Sequence, residues 1–362
     1  MWPYFTVFAM LAGGASLERF RRLAPLRPAL ALISGVVLIV FAGFRQAGVG
    51  PDDENYVTVY AQVPGLWSWL SGAWTYSYQE FWMEPGYVLF NSGIRSLFDN
   101  PLFLFLGCAL LSVGLACKYF YKMSDYFQIA ALLFFSHNYL YRDINQMRAA
   151  IAAAFVLGAV WLAASGFRTR ALIFVFIGAT FHAGSAIIIM PVLLSRFELR
   201  RFYVGFSLVI AYAIGYSEST MALLARLPEL GLLSEKVTDY SDSDYVDVIS
   251  LFDLTNLKNT AIIFGFIYYW DRLKERGNLF NVIAWSMLLG TCWRIAFSDF
   301  GIMAGRVATF LTVVEVVAVT YFIEVCKYKK TMALFIVAYA LVMLYLNLFV
   351  KVGRFPYHLS IL

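Results

Sequence analysis

Long apolar runs dominate the chain, and short polar segments separate them. The runs cover residues 3–17, 28–44, 101–117, 126–141, 143–165, 202–226, 257–273, 279–298, 302–325 and 331–349. At 1.5 Å of rise per residue these lengths suit a hydrocarbon core of about 30 Å. They predict an all-α, polytopic membrane protein with about ten transmembrane helices in a single membrane-embedded domain, residues 1–362. A closed β-barrel would instead show short alternating segments. Residues 86–98 mix apolar and polar positions and predict an external amphipathic helix. Before them lies a long polar and aromatic loop, residues 45–85, with Asp52, Asp53, Glu54 and Trp67, Trp69, Trp74 and Trp82.

The basic segments orient these elements, because Lys and Arg gather in cytoplasmic loops. Residues 19–27, 118–122, 168–170, 271–276 and 327–330 belong on that side. The loops at 45–85 and 228–255 lack the bias, and the second carries Asp239, Asp242, Asp244 and Asp247, so both belong outside. One stretch conflicts with a simple count. If residues 171–195 crossed once, Arg196, Arg200 and Arg201 would land outside and every later loop would invert. A re-entrant pair of half-helices removes the conflict, with the break at Gly178, His182 and Gly184 and His182 near the tip. Both termini are then external.

With this orientation His137, Arg142, Arg148, His182, Arg294, Asp299, Arg306, Arg354 and His358 all fall in the external half, outside every basic loop. A charged group near hydrocarbon costs several kcal/mol and usually faces a bundle interior or wet cavity. The densest cluster is His137-Asn-Tyr-Leu-Tyr-Arg142-Asp-Ile-Asn145-Gln-Met-Arg148, followed by an Ala-rich run. On a continuous helix Asn145 would lie between Arg142 and Arg148 and brace both, with the arginines about 9 Å apart along the axis. Two stacked guanidinium forks suit a diphosphate. The plainer alternative pairs Arg142 with Asp143 at the membrane surface.

Composition narrows the function. The 362 residues are 61% hydrophobic and 14% charged, with mean hydropathy +0.70, against about 25% charged in ordinary soluble domains. The net charge of +5 follows from the cytoplasmic loops and does not indicate nucleic acid. Cys108, Cys117, Cys292 and Cys326 lack ligand spacing, and the three histidines form no HxxxH or HExxH motif, so free thiols and no metal or other cofactor are expected. Residues 1–17 lack the basic start and small-residue exit of a cleavable signal.

Several further residues have two readings. Asp52 or Asp53 can cap a helix, or serve as a general base or sugar-hydroxyl acceptor. Glu84, before Pro85, suits a helix start or a glycan contact, as does nearby Tyr87. His182 and His137 are candidate bases, since only His titrates unperturbed near neutral pH. Arg294 and Arg306 can complete a four-arginine cluster, or pair with Asp299. Lys351, Arg354 and His358 suit an interfacial anchor.

Gly50-Pro-Asp-Asp-Glu-Asn-Tyr56, Glu84-Pro-Gly-Tyr87, Tyr141-Arg-Asp-Ile-Asn-Gln-Met-Arg-Ala-Ala-Ile-Ala152, Phe181-His182 and Gly305-Arg306 occur in that order. Together they resemble the EpsG family of Wzy-type polysaccharide polymerases across nearly the whole chain. Ala149 and Ala150 depart from the Gln or Gly usual after the arginine, and Pro51 separates the early glycine from its aspartate. The resemblance implies an O-antigen or exopolysaccharide polymerase of the bacterial cytoplasmic (inner) membrane with its site facing the periplasm or exterior. It would act as a metal-independent, inverting glycosyltransferase that moves a glycan from undecaprenyl diphosphate to an undecaprenyl-diphosphate-linked repeat unit. Arg142, Arg148, Arg306 and Arg294 would hold the diphosphate. Glu84, Tyr87 and Asn145 would contact glycan, and His182, His137, Asp52 or Asp53 would act as base, with a chain-length regulator as a possible partner. The rival readings are a flippase of lipid-linked oligosaccharide, an O-antigen ligase and a membrane acyltransferase.

Overall fold

A computed structural model describes residues 1–18, 20–217, 248–350 and 356–360. The expectations for Asp239, Asp242, Asp244, Asp247, Lys351 and Arg354 lie outside the described residues. Among those described there is no strand, only an isolated antiparallel bridge between Arg45 and Leu359. Among the described residues, six helices are long and apolar enough to cross a membrane: Ala24–Gly43, Leu102–Met123, Met147–Ala164, Asn278–Ala296, Met303–Val325 and Lys329–Val350. The protein is an all-helical, multi-pass membrane protein.

In chain order the helices are α1 (Trp2–Glu18), α2 (Arg27–Gly43), α3 (Asp53–Gln62), α4 (Leu66–Leu70), α5 (Tyr78–Phe81), α6 (Pro85–Arg95), α7 (Leu102–Met123), α8 (Phe127–Phe134), α9 (Met147–Ala164), α10 (Arg168–Phe181), α11 (Ile189–Leu194) and α12 (Arg201–Tyr216). After the segment outside the described residues come α13 (Leu254–Tyr268), α14 (Trp270–Lys274), α15 (Asn278–Ala296), α16 (Gly301–Leu311), α17 (Glu315–Val325) and α18 (Lys329–Tyr345). The stretch read as one long loop thus holds three short helices, α3 to α5. The amphipathic element appears as α6, which starts at Pro85, where the missing N–H costs nothing.

Charges tie one end of the bundle together. Glu18 accepts from the Phe127 and Gln128 amides, both at 3.0 Å, and pairs with Arg27 at 3.5 Å. Arg276 bridges Asp125 at 2.8 Å and Glu324. Lys274 pairs with Glu198. Segments expected in the cytoplasm therefore meet at a common end.

The segment 168–199 leaves that end and comes back to it. α10 runs antiparallel to α9, so that Gly158 meets Phe174 and Gly178 meets Phe155. At His182 the backbone becomes extended (φ −157°, ψ 111°), and a 3-10 turn and α11 lead back. Asn278 donates to the Ala164 carbonyl at 3.1 Å, while Asn281 donates to the Phe197 carbonyl and accepts from the Leu199 amide. Both feet of this hairpin stand beside the start of α15, and His182 lies at its turn.

One helix boundary corrects the expectation. The apolar run starting at residue 143 becomes helical only at Met147, and residues 142–145 form a turn. Asp143 accepts from the Ser112 hydroxyl at 2.5 Å, and Asn145 accepts from the Asp52 amide at 2.9 Å. Short polar side chains that find partners off the helix compete with its backbone. Arg142 and Arg148 therefore do not share a helix face.

Candidate functional site

At the other end of the bundle, between the start of α9 and the end of α15, lies a cavity of about 550 Å³. Its walls carry Arg142, Arg148, Arg294, Arg306, Lys258, His137, His182 and Asp52 from seven separate stretches of chain. The turn after α8 supplies Arg142, α9 supplies Arg148, the hairpin tip His182, and α13, α15 and α16 supply Lys258, Arg294 and Arg306.

Arg142 is 2% exposed, and its Nη1 and Nη2 have no hydrogen-bond partner among the described residues. Its guanidinium carbon lies 4.8 Å from the centroid of the Phe310 ring. Asp143 does not neutralise it within 4 Å, being turned toward Ser112. Burial pulls the guanidinium down to about 10, so it remains charged at neutral pH.

Arg148 is held differently. Its Nη1 reaches Glu84 Oε2 at 2.5 Å and the Trp82 carbonyl at 3.4 Å. The other Glu84 oxygen accepts from the Ala183 amide at 3.0 Å. Glu84 therefore stands at the start of α6 without capping it, and joins α9 to the hairpin tip. Gly86 makes this possible: a Cβ there would run into the Thr180 hydroxyl and lie 2.7 Å from its carbonyl oxygen. Tyr56 lines the cavity beside Arg148, and burial pushes its phenol up to about 12, so it keeps its proton.

Arg294 pairs with Asp253 at 2.6 Å. Asp253 also accepts from the Asn256 amide and so caps α13. Arg306 lies exposed at the lip, with no carboxylate within 4 Å among the described residues. Of the five cations in the wall, Arg148, Lys258 and Arg294 each carry their own carboxylate, and Arg142 and Arg306 carry none.

The two histidines have their acceptor nitrogens engaged. His182 Nδ1 accepts from the Gly184 amide at 3.2 Å, and its ring packs 5.0 Å from Phe310. The proton of the neutral ring then belongs on Nε2, which makes the free edge a donor. His137 sits in a π turn after α8, where Lys258 Nζ approaches Nε2 at 3.3 Å. Lys258 also pairs with Glu315 at 2.5 Å, and the Tyr339 hydroxyl donates to Glu315 at 3.3 Å. Sequence reasoning missed this group, although charges inside apolar runs 257–273 and 302–325 were a usable signal.

Asp52 lines the cavity from the first position before α3, and its carboxylate does not cap that helix. Asp53 departs from the expectation. It is fully buried, bound to Arg45 at 2.7 and 3.2 Å and to the Gly50 amide at 2.8 Å, and it does not line the cavity. Its oxygens are committed to bracing the loop. Asn145 also differs: it holds Asp52 rather than the arginines. Tyr87 is completely buried behind Tyr56, with ring centroids 5.7 Å apart, and lies outside the cavity wall. Among the described residues no three His, Cys, Asp or Glu side chains are placed to share a metal, and the four cysteines are free.

This arrangement can hold a doubly charged anion, with buried donors on one side and an exposed donor at the lip. No solved structure matches the chain. An amylovoran biosynthesis protein, AmsC of Erwinia amylovora, is 28% identical over 284 residues, covering 76% of this chain and 74% of that protein. Residues 29–359 match the EpsG family, and the chain belongs to it.

Proposed function

We propose that the protein is a polysaccharide polymerase that transfers a growing glycan from undecaprenyl diphosphate to an undecaprenyl-diphosphate-linked repeat unit. The observation that carries this reading is the buried Arg142, charged and without a counter-ion, in a cavity shared with Arg306, Arg148 and Arg294. Such a site is incomplete until an anion enters. Membership of the EpsG family and likeness to an amylovoran biosynthesis protein support a role in polysaccharide synthesis.

In this scheme the acceptor hydroxyl attacks the anomeric carbon of the donor sugar from the face opposite the diphosphate. The new C–O bond forms as the bond to the diphosphate oxygen breaks, which inverts the centre. The arginines stabilise the charge developing on the leaving diphosphate. Asp52, a carboxylate residue in the cavity wall, takes the acceptor proton. His182 donates through Nε2. The hairpin enters the bilayer without crossing it, the six long helices together with the shorter α1, α8, α12 and α13 make about ten crossings, and the cavity faces the exterior of the inner membrane.

The test is an assay of purified protein with its lipid-linked repeat unit, with and without EDTA, beside Arg142→Gln. The expected result is a ladder of longer lipid-linked glycans that survives EDTA and disappears in the variant. A full ladder from Arg142→Gln would remove the diphosphate assignment. Movement of labelled lipid across a bilayer with no ladder would make the protein a carrier.

A further inference from the structure

The aromatic loop beside the cavity divides into an inner and an outer set. Phe81 is buried against Trp74, with centroids 5.7 Å apart, and Trp74 packs on Trp69 at 5.0 Å. The Tyr76 hydroxyl donates to the Met83 carbonyl at 2.5 Å. These contacts fix the loop. Tyr78 and Trp82 face outward from it as a tilted pair, with centroids 6.1 Å apart, and Trp82 is 63% exposed.

The Trp82 backbone has φ +52°, the only left-handed non-glycine residue among those described. A bulky side chain seldom occupies that region unless the surroundings impose it. Here the conformation turns the carbonyl toward Arg148 Nη1, at 3.4 Å, while the indole stays outside. One residue thus links the cavity wall to an external aromatic face. Exposed Gln79 and Glu80 stand beside the pair and can hydrogen-bond hydroxyls. An aromatic face with polar neighbours suits a sugar ring, whose C–H face packs on the negatively polarised π surface while its hydroxyls stay wet.

We infer that Tyr78 and Trp82 form a stacking site for sugar rings of the glycan that extends from the cavity. The site rests on the reading of the cavity as a handler of lipid-linked glycan. It would hold the chain close to Arg148 between transfers and so favour long products.

The decisive variant is Trp82→Gly, which removes the ring and relaxes the strained backbone, so a loss of function does not reflect misfolding. Trp82→Phe tests rescue, and Trp67→Ala, a 77% exposed tryptophan on α4, is the control. Protein in nanodiscs is titrated with the repeat-unit oligosaccharide freed of its lipid, and the product ladder is measured in parallel. Trp82→Gly should weaken oligosaccharide binding at least tenfold and lower the ratio of long to short products. Trp82→Phe should recover most of both, and Trp67→Ala should match wild type. Unchanged binding in Trp82→Gly overturns the site, and a lowered melting temperature in nanodiscs alongside it would make Trp82 a membrane anchor. Trp82-dependent binding in a wild type that builds no ladder would leave the stacking site standing and remove the polymerase reading.

Discussion

Two arginines are buried near the cavity, and neutralising them should have opposite effects on stability. Arg45 lies under the aromatic face of Phe105 and makes two hydrogen bonds to Asp53 and one to the Ala42 carbonyl. Arg45→Met would leave the Asp53 carboxylate buried and unpaired, at a cost of about 3–5 kcal/mol. For a chain of this length that lowers the melting temperature by several degrees. Arg45→Met with Asp53→Leu should recover most of the loss, because replacing both members of a buried pair is often neutral.

Arg142 starts from the other side of the ledger. Its Nη1 and Nη2 are buried without partners, and an unsatisfied buried donor costs about 1–3 kcal/mol. The contact with Phe310 returns about 1–2 kcal/mol of that. Arg142→Met should therefore leave the empty protein equally stable or raise its stability by about 1 kcal/mol, while abolishing activity. Thermal unfolding can be followed with a maleimide dye, since Cys108 and Cys117 are buried thiols that unfolding exposes. Pyrophosphate at a hundred times its dissociation constant should stabilise wild type by about 2.7 kcal/mol and leave Arg142→Met unmoved. If Arg142→Met melted as early as Arg45→Met, Arg142 would be a structural brace and the vacant-anion argument would fail.

Four further perturbations separate roles around the cavity. Asp52→Asn should cut turnover by about 10²–10⁴-fold with its melting temperature unchanged, whereas His182→Gln, which keeps a donor, should retain far more activity; the reverse order in a product-release assay would transfer the base to His182. Gly86→Ala should force α6 away from Thr180 and break the link through Glu84, giving a lower melting temperature and little polymer; normal values for both would show that the contact yields easily. Deleting residues from Pro356 onward should lower both stability and activity, because Tyr357 stacks on Phe41 at 4.0 Å, the Gln46 amide donates to the His358 carbonyl, and the Ser360 amide donates to the Phe44 carbonyl. An intact melting curve with full polymer length would show that Arg45 holds its loop without this strap.

The helices were legible because lipid leaves little choice: a backbone in hydrocarbon must satisfy itself, and long apolar runs record that. The reading of 168–199 as re-entrant rests on an electrostatic reason, since that path keeps the Arg-rich segment at 196–201 with the other basic loops. The helix start at Met147 was not legible, because Asp143 and Asn145 could be read as surface residues of a helix until Ser112 and the Asp52 amide were seen to claim them. Pairing was hidden for the same reason. Glu84 and Arg148, or Lys258 and Glu315, are separated by more than fifty residues, and no local period reports contacts of that range.

This division explains why the arginines stood out in the sequence while their partners did not. A sequence shows which groups are costly in a membrane protein, because each charge stands out from its apolar neighbours. It does not show which cost is already offset. Arg45, Arg148 and Arg294 are equally conspicuous as charges, yet folding supplies each with a carboxylate, at Asp53, Glu84 and Asp253. Arg142 receives an aromatic face and no anion. On the proposed reading, the counter-ion that this buried cation lacks arrives with the substrate.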